Sequence, residues 1–164
     1  MRKCDELLKL KRDLIGVEIG VLAGVHAQEM LENLDIKKLY LVDPYISYRA
    51  SDRLVLRKEM LLAKKEAEER LAEYKNRLVW LVKTSVEANQ DIEDESLDFV
   101  YIDGCHRYRF VFQDISLWTP KVKKGGLVGG HDWTTQTVRE AVEDYCQDNK
   151  IKFKQDESDW WFEK

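Results

Sequence analysis

Short apolar runs alternate along the chain with longer stretches in which apolar residues recur at helical spacing. The runs are typical of strands buried on both faces, and the period near 3.6 is typical of helices packed on one side. The predicted strands cover residues 14–19, 38–42, 78–82, 97–102 and 127–130. The predicted helices cover 3–13, 25–34, a long segment from Ser51 or Asp52 to about 74, a short turn after Ser85, 107–118, and a last helix ending near 148.

Local signals refine some of these boundaries. Pro44 follows the second strand and cannot donate a ladder hydrogen bond, so it marks the strand end. The Lys-Lys-Gly-Gly stretch at 123–126 predicts a turn. Thr137 and Glu140 have the spacing of a capping box, which predicts the start of the last helix. Residues 151–162 then predict a terminal antiparallel pair.

The alternation of strands and helices predicts an α/β fold. Five strand–helix units in series favour a mostly parallel sheet with helices on both faces, closed by an antiparallel C-terminal strand. No linker, repeat or low-complexity stretch interrupts the pattern, so we predict a single domain over residues 1–164. In such sheets ligands bind outside the carboxyl ends of the strands.

The first two strands end in residues suited to a nucleoside ligand. Glu18 is followed by a turn from Gly20 to Gly24, and Asp43 ends the second strand. Glycine lets the backbone approach a ligand closely, and a carboxylate can accept hydrogen bonds from both ribose hydroxyls. The Gly-x-x-x-Gly spacing differs from that of dinucleotide-binding enzymes, which favours a ligand with a carboxylate over a diphosphate. Each motif alone is also compatible with a tight turn.

The fourth and fifth strands end in groups that can bind a metal. Asp103 and His106 follow the fourth strand, and His131 and Asp132 follow the fifth. Carboxylate oxygens suit Mg²⁺, and a histidine nitrogen shifts the preference towards Mn²⁺ or another transition metal. A tight turn at Asp103 and a helix cap at Asp132 are the alternatives, but they leave the histidines without a role.

Composition narrows the classes of function. The net charge of −4 argues against binding to nucleic acid or to an acidic membrane, and no apolar stretch is long enough to span a bilayer. Three widely spaced cysteines argue against disulfides or structural zinc. We therefore expect a cytoplasmic protein with reduced thiols and no nucleic-acid or membrane partner.

Four stretches together resemble class I S-adenosylmethionine-dependent methyltransferases, and more narrowly the group of macrocin-type sugar O-methyltransferases. They are GVEIGVLAG, LYLVDPY, LDFVYIDGCHRYRFVFQDISLW and KKGGLVGGHDW, and the resemblance covers about residues 14–149. It implies a Rossmann-like methyltransferase sandwich and O-methylation of a small-molecule hydroxyl, on a sugar or a phenol, assisted by Mg²⁺ or a similar divalent cation.

The resemblance also implies roles for individual residues. Glu18, Gly20 and Gly24 belong to the motif that holds the methionine part of the donor, and Asp43 matches the acid that binds the ribose. Asp103 and Asp132 match metal-binding carboxylates, with His131 beside them. His106 matches a proposed general base and, with Asp103, is predicted to be catalytic.

The chain departs from the family at two points. Relatives commonly carry Gly-Asp-Ser after the third strand, where this chain has Lys-Thr-Ser at 83–85, so Ser85 is predicted to help hold the adenine. The loop before Ser51 is short, which leaves the acceptor little cover, and a homo-oligomer whose second subunit supplies the lid is one expectation.

Other classes of function remain open from the sequence. The chain could be a module of this fold that binds the adenosyl ligand or a metal without turnover. The Asp and His cluster is also compatible with a metal-dependent hydroxylase or hydrolase. A nicotinamide oxidoreductase is disfavoured by the glycine spacing.

Overall fold

The computed structural model describes residues 2–49 and 54–164, with the backbone alone at residue 49. Within these residues the strands are β1 (Leu14–Ile19), β2 (Ile36–Val42), β3 (Tyr48–Arg49), β4 (Leu54–Val55), β5 (Leu78–Leu81), β6 (Leu97–Ile102), β7 (Val122–Gly130), β8 (Lys154–Asp156) and β9 (Asp159–Glu163). The α-helices are α1 (Lys3–Glu6), α2 (Val25–Asn33), α3 (Arg57–Arg70), α4 (Ser85–Asn89), α5 (Tyr108–Trp118) and α6 (Gln136–Asp148). Ala72–Arg77 and Thr119–Lys121 are 3₁₀ turns.

Seven of the described strands form one twisted sheet in the order β5-β2-β1-β6-β7-β9-β8. The first five are parallel, and β9 and β8 are antiparallel additions at one side. The predicted fold class is therefore confirmed: a mostly parallel sheet with an antiparallel C-terminal pair and helices around it. Among the described residues no helix is both long and apolar enough to cross a bilayer.

The two central strands are buried on both faces, which explains their nearly continuous apolar sequences. Val17 and Val100 belong to a core layer that includes residues of α5 and α6, whereas Phe99 belongs to the opposite layer, with residues of α1 and α2. Gly16 lies beneath the Phe99 ring, where a Cβ would fall 2.0 Å from a ring carbon. The absence of a side chain on β1 thus makes room for the large one on β6.

The N-terminal helix is shorter than predicted. Helix α1 ends at Glu6, and turns continue to residue 10, rather than one helix over 3–13. Leu8 is buried, but Leu7 and Leu10 are 50% and 95% exposed. Since only one of these leucines docks on the sheet, packing does not stabilise a second and third helical turn.

The long third helix begins later than predicted. The proposed caps Ser51 and Asp52 lie outside the described residues, and α3 starts at Arg57 after Leu56. The Leu56 N–H donates to Glu59 Oε2 at 2.8 Å, so a side chain of the first turn satisfies it. The antiparallel pair of β3 and β4 was not predicted, because two-residue strands carry no periodic signal.

The predicted turn at 123–126 is wrong. These residues lie inside β7, and the pairing with β6 shifts register between Leu97 and Phe99. Gly125 has a φ of 75°, the left-handed conformation found in many bulges. The two glycines therefore distort a strand instead of ending it.

The predicted capping box at Thr137 is also wrong. Helix α6 begins at Gln136, with Thr135 as its N-cap residue. The Thr137 hydroxyl donates instead to the carbonyl oxygen of His106, at 2.5 Å. A residue predicted to start a helix thus fixes the loop after β6.

We expect Gly16→Ala to lower the free energy of unfolding by about 1–3 kcal/mol, because the new methyl group overlaps the buried Phe99 ring. Urea denaturation followed by circular dichroism measures this change. The double variant Gly16→Ala, Phe99→Leu should lose less stability than the sum of the two single variants. Strict additivity would show that the two positions do not compete for the same space.

Candidate active site

The turn after β1 brings three strand ends together. Gly20 has a φ of 89°, and its N–H donates to the carbonyl oxygen of Val42 at the end of β2. A Cβ at Gly20 would lie 2.2 Å from the carbonyl oxygen of Asp103, which follows β6. Any side chain would push β1 and β6 apart. Glycine is therefore required here both by backbone conformation and by space.

Asp43 holds this turn from the end of β2. Its Oδ2 accepts from the N–H groups of Val21 and Leu22 at 3.2 and 3.0 Å, and its Oδ1 accepts from the Tyr45 N–H at 2.8 Å. The carboxylate is buried, with three of its roughly four acceptor positions used. Asp43 thus lies where a ribose-binding acid was predicted and also shapes the turn. Its contact with a ribose stays a prediction.

Gly24 lies at the other end of the turn and has a different neighbour. Its φ is 71°, and it is the N-cap residue of α2. A Cβ here would meet Leu71 and Ala67 at 3.1 and 3.2 Å. The glycine therefore allows α3 and the residue that follows it to pack closely against the start of α2. Its predicted part in donor binding is not tested by these contacts.

Glu18 belongs to a buried network that reaches the N-terminal helix. His26 Nδ1 lies 3.0 Å from Glu18 Oε1, and its Nε2 lies 2.9 Å from Asp5 Oδ2. The three side chains are at most 5% exposed. Burial opposes a charge on His26, but the hydrogen bonds to Asp5 and Glu18 outweigh it and raise the pKa of His26 to about 9. Only an imidazolium can donate to both carboxylates, so His26 is protonated near neutral pH.

Asp103, His131 and Asp132 form one cluster, as predicted for metal ligands. One ligand atom from each lies within 4.8 Å of the others. His131 Nδ1 is 3.8 Å from Asp103 Oδ1 and 3.4 Å from Asp132 Oδ2. Two carboxylates and an imidazole are a donor set suited to a divalent cation. Whether the cluster holds one stays a prediction.

His106 lies beside Asp132. Its Nε2 is 2.9 Å from Asp132 Oδ2, and its side chain is half exposed. The hydrogen bond to His106 lowers the pKa of Asp132 to about 2, and the same contact raises the pKa of His106. When His106 is neutral, a proton on Nε2 faces Asp132 and Nδ1 is left as an acceptor.

Arg2 also reaches this cluster, which the sequence did not predict. Its Nη1 donates to Asp103 Oδ2 at 2.9 Å and to the Tyr101 hydroxyl at 2.5 Å. Arg2 and Asp103 are 101 positions apart, and no local pattern marks them as neighbours. The guanidinium supplies one positive charge to the carboxylate on the side away from His131.

Ser85 is engaged within the protein. Its hydroxyl donates to Asp114 Oδ1 at 2.5 Å and accepts from the Trp118 indole N–H at 2.7 Å. Burial raises the pKa of Asp114 to about 6, although the Ser85 hydrogen bond opposes that rise. Asp114 was missed because it lies on the apolar stripe of α5. The predicted contact of Ser85 with adenine stays a prediction.

A groove opens beside the cluster. It has a volume of about 460 Å³ and shares His131 with the cluster. Its remaining lining comes from the N-terminal segment, α2 and the β8–β9 turn: Arg2, Lys3, Glu6, Glu29, Asp156, Glu157, Ser158 and Asp159. The lining is polar, and the groove is large enough for a small hydrophilic molecule.

Residues 15–133, from β1 to the end of the cluster, match a family model described as a methyltransferase domain. The chain belongs to this family. The match includes Glu18, the glycine turn, Asp43 and the Asp103–His131–Asp132 cluster. The narrower resemblance to macrocin-type enzymes stays a prediction.

Several solved structures with the same fold carry names that describe methyltransferases. The alignment with the O-methyltransferase NovP covers 99% of this chain and 76% of the NovP chain, with a TM-score of 0.65 and 16% identity. A methyltransferase from Geobacter sulfurreducens covers 98% and 75%, with a TM-score of 0.68 and 12% identity. A protein from Corynebacterium glutamicum covers 98% and 78%, with a TM-score of 0.74 and 14% identity. At these identities the likeness establishes the fold.

A curated relative matches a short stretch. An uncharacterized protein of Sinorhizobium fredii is 44% identical over 52 residues, which are 32% of this chain and 6% of that protein. The matched stretch is therefore a small part of a much longer relative.

The methyltransferase family implies the donor S-adenosylmethionine, and the residues at the end of β1 fit it. Glu18 Oε2 is buried and finds no hydrogen-bond donor among the described residues. A buried carboxylate oxygen without a donor is costly, so a ligand ammonium or hydroxyl would stabilise it. Gly20 also carries no side chain at the point where the turn comes closest to the backbone of Asp103.

The raised pKa of His26 predicts a loss of stability at alkaline pH. A group whose pKa is higher in the folded state stabilises the fold fully below its unfolded value of 6.5, and this contribution disappears as the pH rises through about 9. The free energy of unfolding should fall by on the order of 3 kcal/mol over that interval. Guanidinium denaturation at pH 6, 7.5 and 9.5 measures it. His26→Gln should show a much flatter profile, and parallel profiles would contradict the assignment.

Proposed function

We propose that this protein methylates a hydroxyl group of a small molecule, using S-adenosylmethionine as donor and a divalent cation as aid. The observation that carries the proposal is the direct contact between the residues suited to hold the donor and the residues suited to hold the cation. The donor turn at Gly20 lies against the backbone of Asp103, whose side chain belongs to the cation cluster. Groups suited to hold a donor and groups suited to activate a hydroxyl are thus adjacent at one sheet edge.

The residues of the first half would hold the donor. Glu18 offers a buried carboxylate oxygen, Asp43 retains acceptor capacity beside the turn, and the turn itself presents backbone at close range. When bound, S-adenosylmethionine supplies a methyl group on a sulfonium, so that a C–O bond to the acceptor forms as the C–S bond breaks. The rigid turn would fix the line of this displacement, which is the main requirement of the reaction.

The residues of the second half would prepare the acceptor. Asp103, His131 and Asp132 would hold the cation, which when bound favours ionisation of the hydroxyl. His106 would act as the general base, because Asp132 orients its Nε2 and Nδ1 can accept the hydroxyl proton. Asp132 also stabilises the imidazolium that results.

The groove beside His131 supports a small polar acceptor. Its volume of about 460 Å³ and its charged lining suit a polyhydroxylated or phenolic molecule better than an apolar one. A sugar hydroxyl is compatible with this lining. A second copy of the chain as a lid over the acceptor stays part of the proposal.

One observation favours a variant of this function. Arg2 already donates to Asp103 Oδ2, so the protein itself neutralises part of the charge that a cation would meet. A chain of this kind could bind the donor without a metal, either as a metal-independent enzyme or as a module without turnover. Cation binding and methyl transfer, measured together, separate these possibilities.

We expect S-adenosylhomocysteine to bind, and Mg²⁺ or Mn²⁺ to bind in a way that depends on Asp103. Isothermal titration calorimetry with the nucleoside, before and after addition of each cation, measures both. Asp94→Ala, which removes an exposed carboxylate paired with Lys121, is the control for a changed surface charge. Failure of the nucleoside to bind would overturn the proposed donor, and failure of both cations to bind would favour the metal-independent variant.

We expect Asp103→Ala and His106→Ala to fold and to lose turnover. Loss of a general base typically slows such a step roughly a hundredfold or more. The measurement is transfer of a labelled methyl group to a panel of sugars and phenols, with circular dichroism to check the fold. Full activity of both variants on the true acceptor would refute the assigned roles.

A further inference from the structure

Resting on the proposed donor, we propose that His26, held by Asp5, is a positioning residue that presents Glu18 Oε2 to the ammonium group of the donor's methionine part. Among the described residues, the His26 ring forms hydrogen bonds to Asp5 and Glu18 but to neither the turn nor the cluster. Its role would therefore be exerted through Glu18.

The geometry separates the two oxygens of Glu18. Oε1 is fixed by His26 Nδ1 at 3.0 Å, while Oε2 is buried without a partner among the described residues. The carboxylate is 1% exposed, so water does not solvate it freely. Because the carboxylate is fixed through Oε1, only Oε2 is left to accept a hydrogen bond from a ligand, and its orientation is set before the ligand binds.

Charge supports an ammonium as the missing partner. Burial raises the pKa of Glu18, so a second cationic donor beside His26 would favour its charged form. The nearby cation Arg2 already donates hydrogen bonds from Nη1 to Tyr101 and Asp103. An ammonium ligand would stabilise the charged form of Glu18 and satisfy Oε2 at once.

Several contacts fix the network in place. His26 packs against the Tyr101 ring, with centroids 4.2 Å apart. Asp159 on β9 accepts from the Lys3 N–H at 2.8 Å and from the Tyr101 hydroxyl at 3.0 Å. Helix α1, and with it Asp5, is thereby anchored to the sheet. The orientation of Glu18 thus depends on a segment that is distant in sequence from the donor turn.

The test compares two ligands that differ in one group. S-adenosylhomocysteine and its analogue with hydrogen in place of the α-amino group are titrated calorimetrically into the whole protein, into His26→Gln and into Asp5→Asn. Asp35→Asn is the matched control, because it makes the same chemical change in an exposed ion pair with Arg12. Thermal unfolding shows which variants fold.

We expect the unaltered protein to bind the amino-bearing ligand about tenfold or more tightly, as for a hydrogen bond between charged groups. His26→Gln and Asp5→Asn should reduce this ratio at least about threefold, and Asp35→Asn should leave it unchanged. A merely structural role would lower the melting temperature and affinity for both ligands while leaving their ratio intact.

Each result decides a different point. If neither ligand binds the unaltered protein, the proposed donor is wrong. If both bind equally, or if folded variants keep the full ratio, the role of His26 is wrong. If neither variant folds, ring-nitrogen NMR of His26 in the unaltered protein decides: its signals should shift with the amino-bearing ligand and much less with the analogue, and equal responses would overturn the proposal.

Discussion

The close contact between Gly20 and the carbonyl oxygen of Asp103 is the constraint on which the candidate site depends. It allows β1 and β6 to lie side by side up to their last residues, where the Asp103 N–H donates to Ile19 at 2.8 Å. The turn that would hold a donor and the cluster that would act on an acceptor are separated only by this backbone contact. A Cβ at position 20 would widen the gap and misalign both.

Charges at this edge are divided into two groups with different surroundings. Glu18, His26 and Asp5 are buried, so their hydrogen bonds are strong, and the pKa values of Glu18 and His26 are raised. Asp103, His131 and Asp132 are partly exposed, and His131 also lines the groove, where a ligand or ion can enter. Tyr101 connects the groups, because its ring packs on His26 and its hydroxyl receives a hydrogen bond from Arg2.

Most of the fold could be predicted from the sequence because its central strands are buried on both faces. Such strands appear as apolar runs, and the residues at or just after their carboxyl ends, such as Glu18 and Asp103, fall at the edge where ligands bind. The failures have physical causes. Gly125 signalled a turn, yet a bulge in β7 also uses a left-handed glycine. Arg2 and Asp5 join the site only through contacts between distant segments, for which a single sequence carries no local signal.

The antiparallel hairpin at the C-terminus has a consequence for self-association. Its outer strand, β8, is three residues long, and all three are exposed: a lysine, a glutamine and an aspartate. Short, charged edge strands resist pairing with a further strand. Extension of the sheet between copies is therefore disfavoured on this side, and β5, whose four apolar residues are half-buried, is the border better suited to strand pairing.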